Sequence, residues 1–155
     1  MSHIITVRKA NSSEASDIAE FNIAMAWETE EKKLSKETIY SGVKSLMDKP
    51  EYGFYIVAES DGETVASLMI TKEWSDWRNG VFWWIQSVYV KPDFRRQGIY
   101  RKMYQTVLKM AENQPDVCGC RLYVEKENIT AQKTYEALGM SETHYKMYEG
   151  VFGQT

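Results

Sequence analysis

Apolar and polar positions follow two different periods along the chain, and each change of period marks an element. His3–Ala10 alternates every second residue and predicts a strand. Behind Ser12 or Ser13 as cap, Ile18, Phe21, Ala24 and Met25 recur at helical spacing. Leu34–Pro50 predicts a second helix, capped by Ser35 and stopped before Pro50. Tyr52–Ser60 and Glu63–Trp74 are strand-like runs around Asp61-Gly62, a strong hairpin signal. Val81–Pro92 is apolar on both faces as far as Gln86, which suits a central strand; Arg78–Gly80 turns the chain into it and Pro92 ends it. Gly98–Asn113 places Ile99, Met103, Val107 and Met110 on one helical stripe. Cys120–Lys126 then reads as a strand, and Asn128–Met140 as a helix capped by Asn128 and ended by Gly139. Ser141–Glu149 alternates again, as a last strand.

The order β-α-α-β-β-β-α-β-α-β predicts an α/β fold, a central mixed sheet flanked by helices. With 155 residues and no repeat, linker or low-complexity tract, a single domain over 1–155 is expected. The late strand–helix units, from Val81 on, are where an open α/β sheet would bind a ligand, near strand carboxyl ends.

Composition narrows the function. A net charge of −3 argues against a general nucleic-acid binder. No apolar run reaches the ~20 residues of a membrane span, and Met1–Glu14 contains no apolar signal region. Cys118 and Cys120 form a C-x-C pair, poorly spaced for a disulfide and too few for zinc. They are expected as core-facing thiols in a reducing cytoplasm. Phosphate-loop, dinucleotide and serine-elbow motifs are missing, and the isolated His3 and His144 suggest no metal.

One stretch runs against the acidic balance. From Lys91 to Lys102 there are five cations and one carboxylate, where a helix begins behind Gly98. First-turn amides and the helix dipole favour an anion, and a glycine admits close approach. A solvated basic helix start with a turn glycine is the other reading. Asn128 and Tyr135, two helical turns apart, share a face; capping and core packing are the plainer roles for each.

With both segments in order, the chain resembles the GNAT superfamily of acyl-CoA N-acyltransferases. The family pattern [QR]-x-x-G-x-[GA] is matched by Arg95-Arg96-Gln97-Gly98-Ile99-Tyr100 behind Gln86–Phe94. The later segment, a strand followed by Asn, Tyr and Leu-Gly-Phe, is matched by Leu122–Met140. The resemblance covers Val57 to the end. Tyr100 stands where the family has Gly or Ala, and Met140 replaces the usual Phe.

The resemblance implies acetyl-CoA as cosubstrate, no metal, and transfer to a primary amine of a small molecule or peptide by direct attack through a tetrahedral intermediate. It implies that pantetheine pairs with the backbone of Val88, Tyr89 and Val90, helped by a bulge near Gln86 or Ser87. The pyrophosphate would fall on the Arg95–Arg101 segment, on amides from Arg96 to Arg101. Asn128 would bond pantetheine, Tyr135 would reach the thioester sulfur, and the Val88 N–H would face the oxyanion. Where many members carry a glutamate this strand offers Gln86 and Ser87, which leaves a water held there, or Glu28 and Glu30, to handle the amine proton. Trp27, Trp74 and Trp77 are candidate acceptor contacts; core packing or a homodimer seam would also account for the tryptophans. A non-catalytic acyl-CoA sensor is the alternative function. No nucleic-acid or membrane partner is expected.

Overall fold

The computed structural model describes residues 4–153; His3, read above into the first strand, lies outside the described residues. In chain order the elements are β1 (Ile5–Lys9), α1 (Ala15–Glu30), α2 (Lys36–Met47), β2 (Gly53–Ser60), β3 (Glu63–Ser75), β4 (Gly80–Val90), α3 (Ile99–Glu112), β5 (Val117–Arg121) and α4 (Ile129–Ala137). They fall into two compact units, one up to Tyr123 and one from Val124.

In the first unit the sheet runs β1-β2-β3-β4-β5, antiparallel throughout except for the parallel pair β4–β5. The β2–β3 hairpin turns at Asp61 and Gly62, both with positive φ (50° and 86°), as a two-residue I′ turn requires. At Gly53 the strands approach so closely that a Cβ would sit 2.0 Å from the Ile70 carbonyl oxygen. Helices α1 and α2 cover the sheet face carrying Tyr55, Val57 and Met69, with Ile18 and Val43 fully buried between. Each such side chain contributes about 1.5–3 kcal/mol by leaving water. On the opposite face Ile56, Leu68 and Ile70 are fully buried.

Three expectations shift. Asn11, not Ser12 or Ser13, heads the first helical segment, because a short 3-10 turn at Ser12–Glu14 takes up the serines. Its start is fixed by Glu14, whose carboxylate accepts from the Asn11 N–H (2.8 Å), both Arg8 terminal nitrogens (2.8 and 3.0 Å) and Thr64 Oγ1 (2.7 Å). Secondly, β5 begins at Val117 and ends at Arg121, earlier than the expected Cys120–Lys126, because its ladder with β4 runs only from Val81↔Val117 to Trp84↔Arg121. Thirdly, Cys118 is exposed and Cys120 only half-buried; β5 is last in the sheet order, and its pairing with β4 passes from Val117 to Gly119 and leaves Cys118 out of the ladder.

In the second unit α4 begins where Asn128 Oδ1 accepts the Ala131 N–H (3.2 Å). It ends in a Schellman turn: Gly139, at φ 90°, donates to Glu136 O and Met140 to Tyr135 O, each at 3.0 Å. The strand expected at Ser141–Glu149 does not form. Alternation defines a strand only where another strand accepts the ladder, and this unit has none among its described residues. Tyr145, Met147 and Tyr148 are exposed there. No helix among the described residues is long and apolar enough to cross a membrane.

Candidate functional site

The feature that opens the sheet is a bulge in β4. Met69 pairs with Gln86 and Ser67 with Tyr89, so β4 advances three residues while β3 advances two. Ser87 takes up the excess at φ 52°. The bulge lies where the expectation put it. Because the ladder with β5 stops at Trp84, the rest of β4, through Val88 and Val90, has only β3 beside it among the described residues. Backbone groups on its other edge are available to an extended ligand.

That edge leads into the basic loop. Lys91 is followed by a short 3-10 turn at Pro92–Phe94, then by Arg96 at φ 63° and Gly98 at φ 78°. A left-handed arginine costs about 1–2 kcal/mol, so something must hold it. Gly98 carries the same sense without strain, and nothing lies within 4 Å of where its Cβ would be. No side chain caps α3, which leaves first-turn amides for an anion. Arg96, Gln97, Tyr100 and Arg101 are exposed around this turn, while Ile99 is buried and anchors it. These features fit a pyrophosphate.

Arg95 is held within the protein through two of its three guanidinium nitrogens. Its Nε donates to Val90 O (2.8 Å), its Nη2 donates to Glu28 Oε1 (2.8 Å), and its guanidinium lies 5.2 Å from the Tyr89 ring centre. Tyr89 itself stacks on Phe21 of α1 at 5.5 Å and donates its hydroxyl to Glu28 Oε2 (2.8 Å). The bonds from Arg95 and then Tyr89 hold the Glu28 carboxyl below its usual range. Burial, and then Glu28, push the Tyr89 phenol up. Burial alone would lower the Arg95 guanidinium, but the bond to Glu28 together with the charges of Glu28, Tyr100 and Tyr89 raises it.

A second polar group lies on the face that carries Met69. Gln86 Nε2 donates to Thr71 Oγ1 (2.6 Å), and Tyr123 donates its hydroxyl to Gln86 Oε1 (3.1 Å). Glu73 Oε1 accepts from Trp84 Nε1 (2.8 Å) and Arg121 Nη1 (2.9 Å). The bond from Trp84 dominates in holding the Glu73 carboxyl below its usual range. Thr71, Glu73, Arg121 and Tyr123 were not singled out from the sequence. Their partners lie 11 to 48 residues away, so no local pattern marks them.

The tryptophan candidates separate. Trp27 and Glu30 are exposed at the end of α1. Trp74 pairs with Val81 and so lies on the sheet face opposite Glu73 and Gln86, while Trp77 stands 89% exposed in the β3–β4 turn. On α4, Asn128 commits Oδ1 to the cap and keeps its amide hydrogens for another partner, and Tyr135 is half-buried.

The bulged sheet and the glycine-led helix start define the acetyltransferase class read from the sequence. A family model described as the acetyltransferase (GNAT) family matches residues 14–140, and the chain belongs to that family. It is similar to the crystal structure of a possible acetyltransferase from Clostridium difficile 630, with 43% identity and a TM-score of 0.90 over 97% of this chain and 99% of that one. A predicted acetyltransferase with acetyl-CoA from Clostridium acetobutylicum is 16% identical, with a TM-score of 0.76 over 95% and 96% of the two chains. The aminoglycoside N-acetyltransferase AAC(6')-Iy in complex with CoA is 15% identical, with a TM-score of 0.74 over 97% of each. These last two share the fold. No curated protein matches the chain.

Proposed function

We propose that the protein is an acetyl-CoA-dependent N-acetyltransferase acting on a primary amine of a small molecule or peptide, in the cytoplasm. The observation that carries the reading is the open edge of β4 leading, past its bulge, into the uncapped start of α3 at Gly98. The backbone of Val88, Tyr89 and Val90 takes the pantetheine arm, and amides from Arg96 to Arg101 take the pyrophosphate. Acetyl-CoA supplies an activated thioester, so no protein nucleophile is needed.

The chain's own groups then do three things. The Val88 N–H donates to the carbonyl oxygen as it gains charge. Gln86, fixed between Thr71 and Tyr123, orients a water through which the amine proton leaves. An alkylamine has a pKa near ~10.4, so that proton must go before attack. On α4, the resemblance assigns Asn128 to pantetheine and Tyr135 to the departing sulfur. A phenol at ~10 protonating a thiolate whose acid is near ~8.5 is uphill by about 2 kcal/mol, so a hydrogen bond is the greater part of its help.

The test has two stages. Acetyl-CoA at a hundred times its dissociation constant stabilises a binder by about 2.7 kcal/mol, a clear thermal shift. The protein is then incubated with acetyl-CoA and polyamines, aminoglycosides, amino acids and peptides while free thiol is followed. Thiol release with one class of amine is the expected result. A protein that neither shifts nor releases thiol would overturn the reading, and one that shifts without turnover would be a sensor.

A further inference from the structure

We propose that Glu28, at the end of α1, is a positioning residue that sets the shape of the pyrophosphate loop through Arg95, and that Arg95 is a strap within the protein rather than a phosphate ligand. The inference deepens the function proposed above and rests on it for the identity of the ligand.

The argument starts from the loop. Arg96 and Gly98 are both left-handed, and a left-handed arginine persists only where its surroundings over-determine it. On the far side, Gln97 Nε2 donates to Asp93 O (3.1 Å) and Ile99 is buried. On the near side the anchor is Arg95, whose Nε reaches back to Val90 O, the last residue of β4. That bond alone would leave the guanidinium able to swing. Glu28 stops the swing by taking Nη2, and Tyr89 stops it by placing its ring beneath the guanidinium. Glu28 is fixed in turn by the Tyr89 hydroxyl on its second oxygen, and Tyr89 by Phe21, one α1 residue stacking where another accepts. Helix α1 therefore meets the cofactor strand and loop at three groups. With Arg95 engaged this way, the charge left for phosphate comes from the exposed Arg96 and Arg101.

Two roles for Glu28 predict opposite signs. A carboxylate that merely sits near a phosphate site repels the ligand, so its removal tightens coenzyme A binding and frees Arg95. A carboxylate that shapes the loop weakens binding when removed. The experiment titrates wild type, Glu28→Ala, Arg95→Ala, the double variant and Tyr89→Phe with coenzyme A by calorimetry. It also follows amide hydrogen exchange in the free proteins at positions 95 and 102, the bonded amides on either side of the loop, which donate to Pro92 O and Gly98 O. Glu28→Ala and Arg95→Ala are each expected to weaken coenzyme A about tenfold, with the double variant no worse than either. Tyr89→Phe should lose about two- to threefold. Exchange at positions 95 and 102 should quicken in all of them while β2 and β3 keep their protection.

Unchanged or tighter binding by Glu28→Ala, or additive losses in the double variant, would overturn the proposal. If wild type binds no coenzyme A, the proposed function fails, and the exchange data alone decide whether Glu28 orders the loop: no quickening in Glu28→Ala refutes it.

Discussion

The Tyr89 hydroxyl donates to Glu28 Oε2 at 2.8 Å, joining the central strand to the end of the first helix across 61 residues of sequence. The bond changes what Glu28 can do. The sequence allowed it to receive the amine or its proton. In the structure both carboxylate oxygens are taken, and the carboxyl is held below its usual range, a direction that weakens a base near neutral pH.

Tyr89→Phe keeps the stack on Phe21 and removes only the hydroxyl. A hydrogen bond to a charged group contributes ~1.5–3 kcal/mol, and the half-exposed Glu28 end brings this one below that range. The expected loss is about 1 kcal/mol, or roughly 2–4 °C in Tm, read by thermal unfolding. An unchanged Tm would mean that the bond contributes nothing.

Glu14→Gln breaks a part-buried ion pair with Arg8, which keeps Glu59, and weakens the start of the helical segment. A loss of about 2 kcal/mol is expected. Burial alone would push the Glu14 carboxyl up, but bonds from Arg8, the Asn11 backbone and Thr64 together hold it below its ordinary value. The unfolded chain therefore takes up the proton first. The contribution is complete above about pH 4.3 and is lost as pH falls through the lower folded value. Urea unfolding from pH 6 to pH 2 should show a steeper acid loss in wild type than in Glu14→Gln.

Gly53→Ala drives a methyl group against the Ile70 carbonyl, 2.0 Å away, where backbone rather than a side chain must yield. The cost should reach about 3 kcal/mol, the upper end for overpacking. A Tm within a degree of wild type would show that the strands can separate there freely.

Cys118 is exposed, whereas burial first, and then Glu112, pushes the Cys120 thiol up to about 11. At pH 8 only about one in a thousand Cys120 side chains is thiolate. Iodoacetamide should modify Cys118 first, and mass spectrometry of a brief reaction should find a single adduct on that residue.

Tyr135→Phe should lower kcat about thirtyfold and leave acetyl-CoA affinity unchanged, the effect of losing one hydrogen bond of ~2 kcal/mol to a developing thiolate. Steady-state kinetics with calorimetry separates the two quantities. A loss of four orders of magnitude would mean full proton transfer, and no loss would remove Tyr135 from the chemistry.

The sequence by itself determined most of the elements and both motif segments. Local physics suffices for these: the Asp61-Gly62 turn, the Ser35 cap, Gly139 at the end of α4 and the glycine-led start of α3 are each set by residues within a few positions of one another. The bulge site was legible too, because the family resemblance pointed to Gln86 and Ser87. The ends of β5, the missing strand at Ser141–Glu149 and the exposure of Cys118 were decided by tertiary structure, since a strand exists only as far as a neighbour accepts its ladder. The same holds for the partners of Gln86 and for the grip of Glu28 on Arg95 and Tyr89. These contacts join residues 15 to 67 positions apart, and only the folded sheet with α1 on its face brings their charges and hydroxyls within bonding distance.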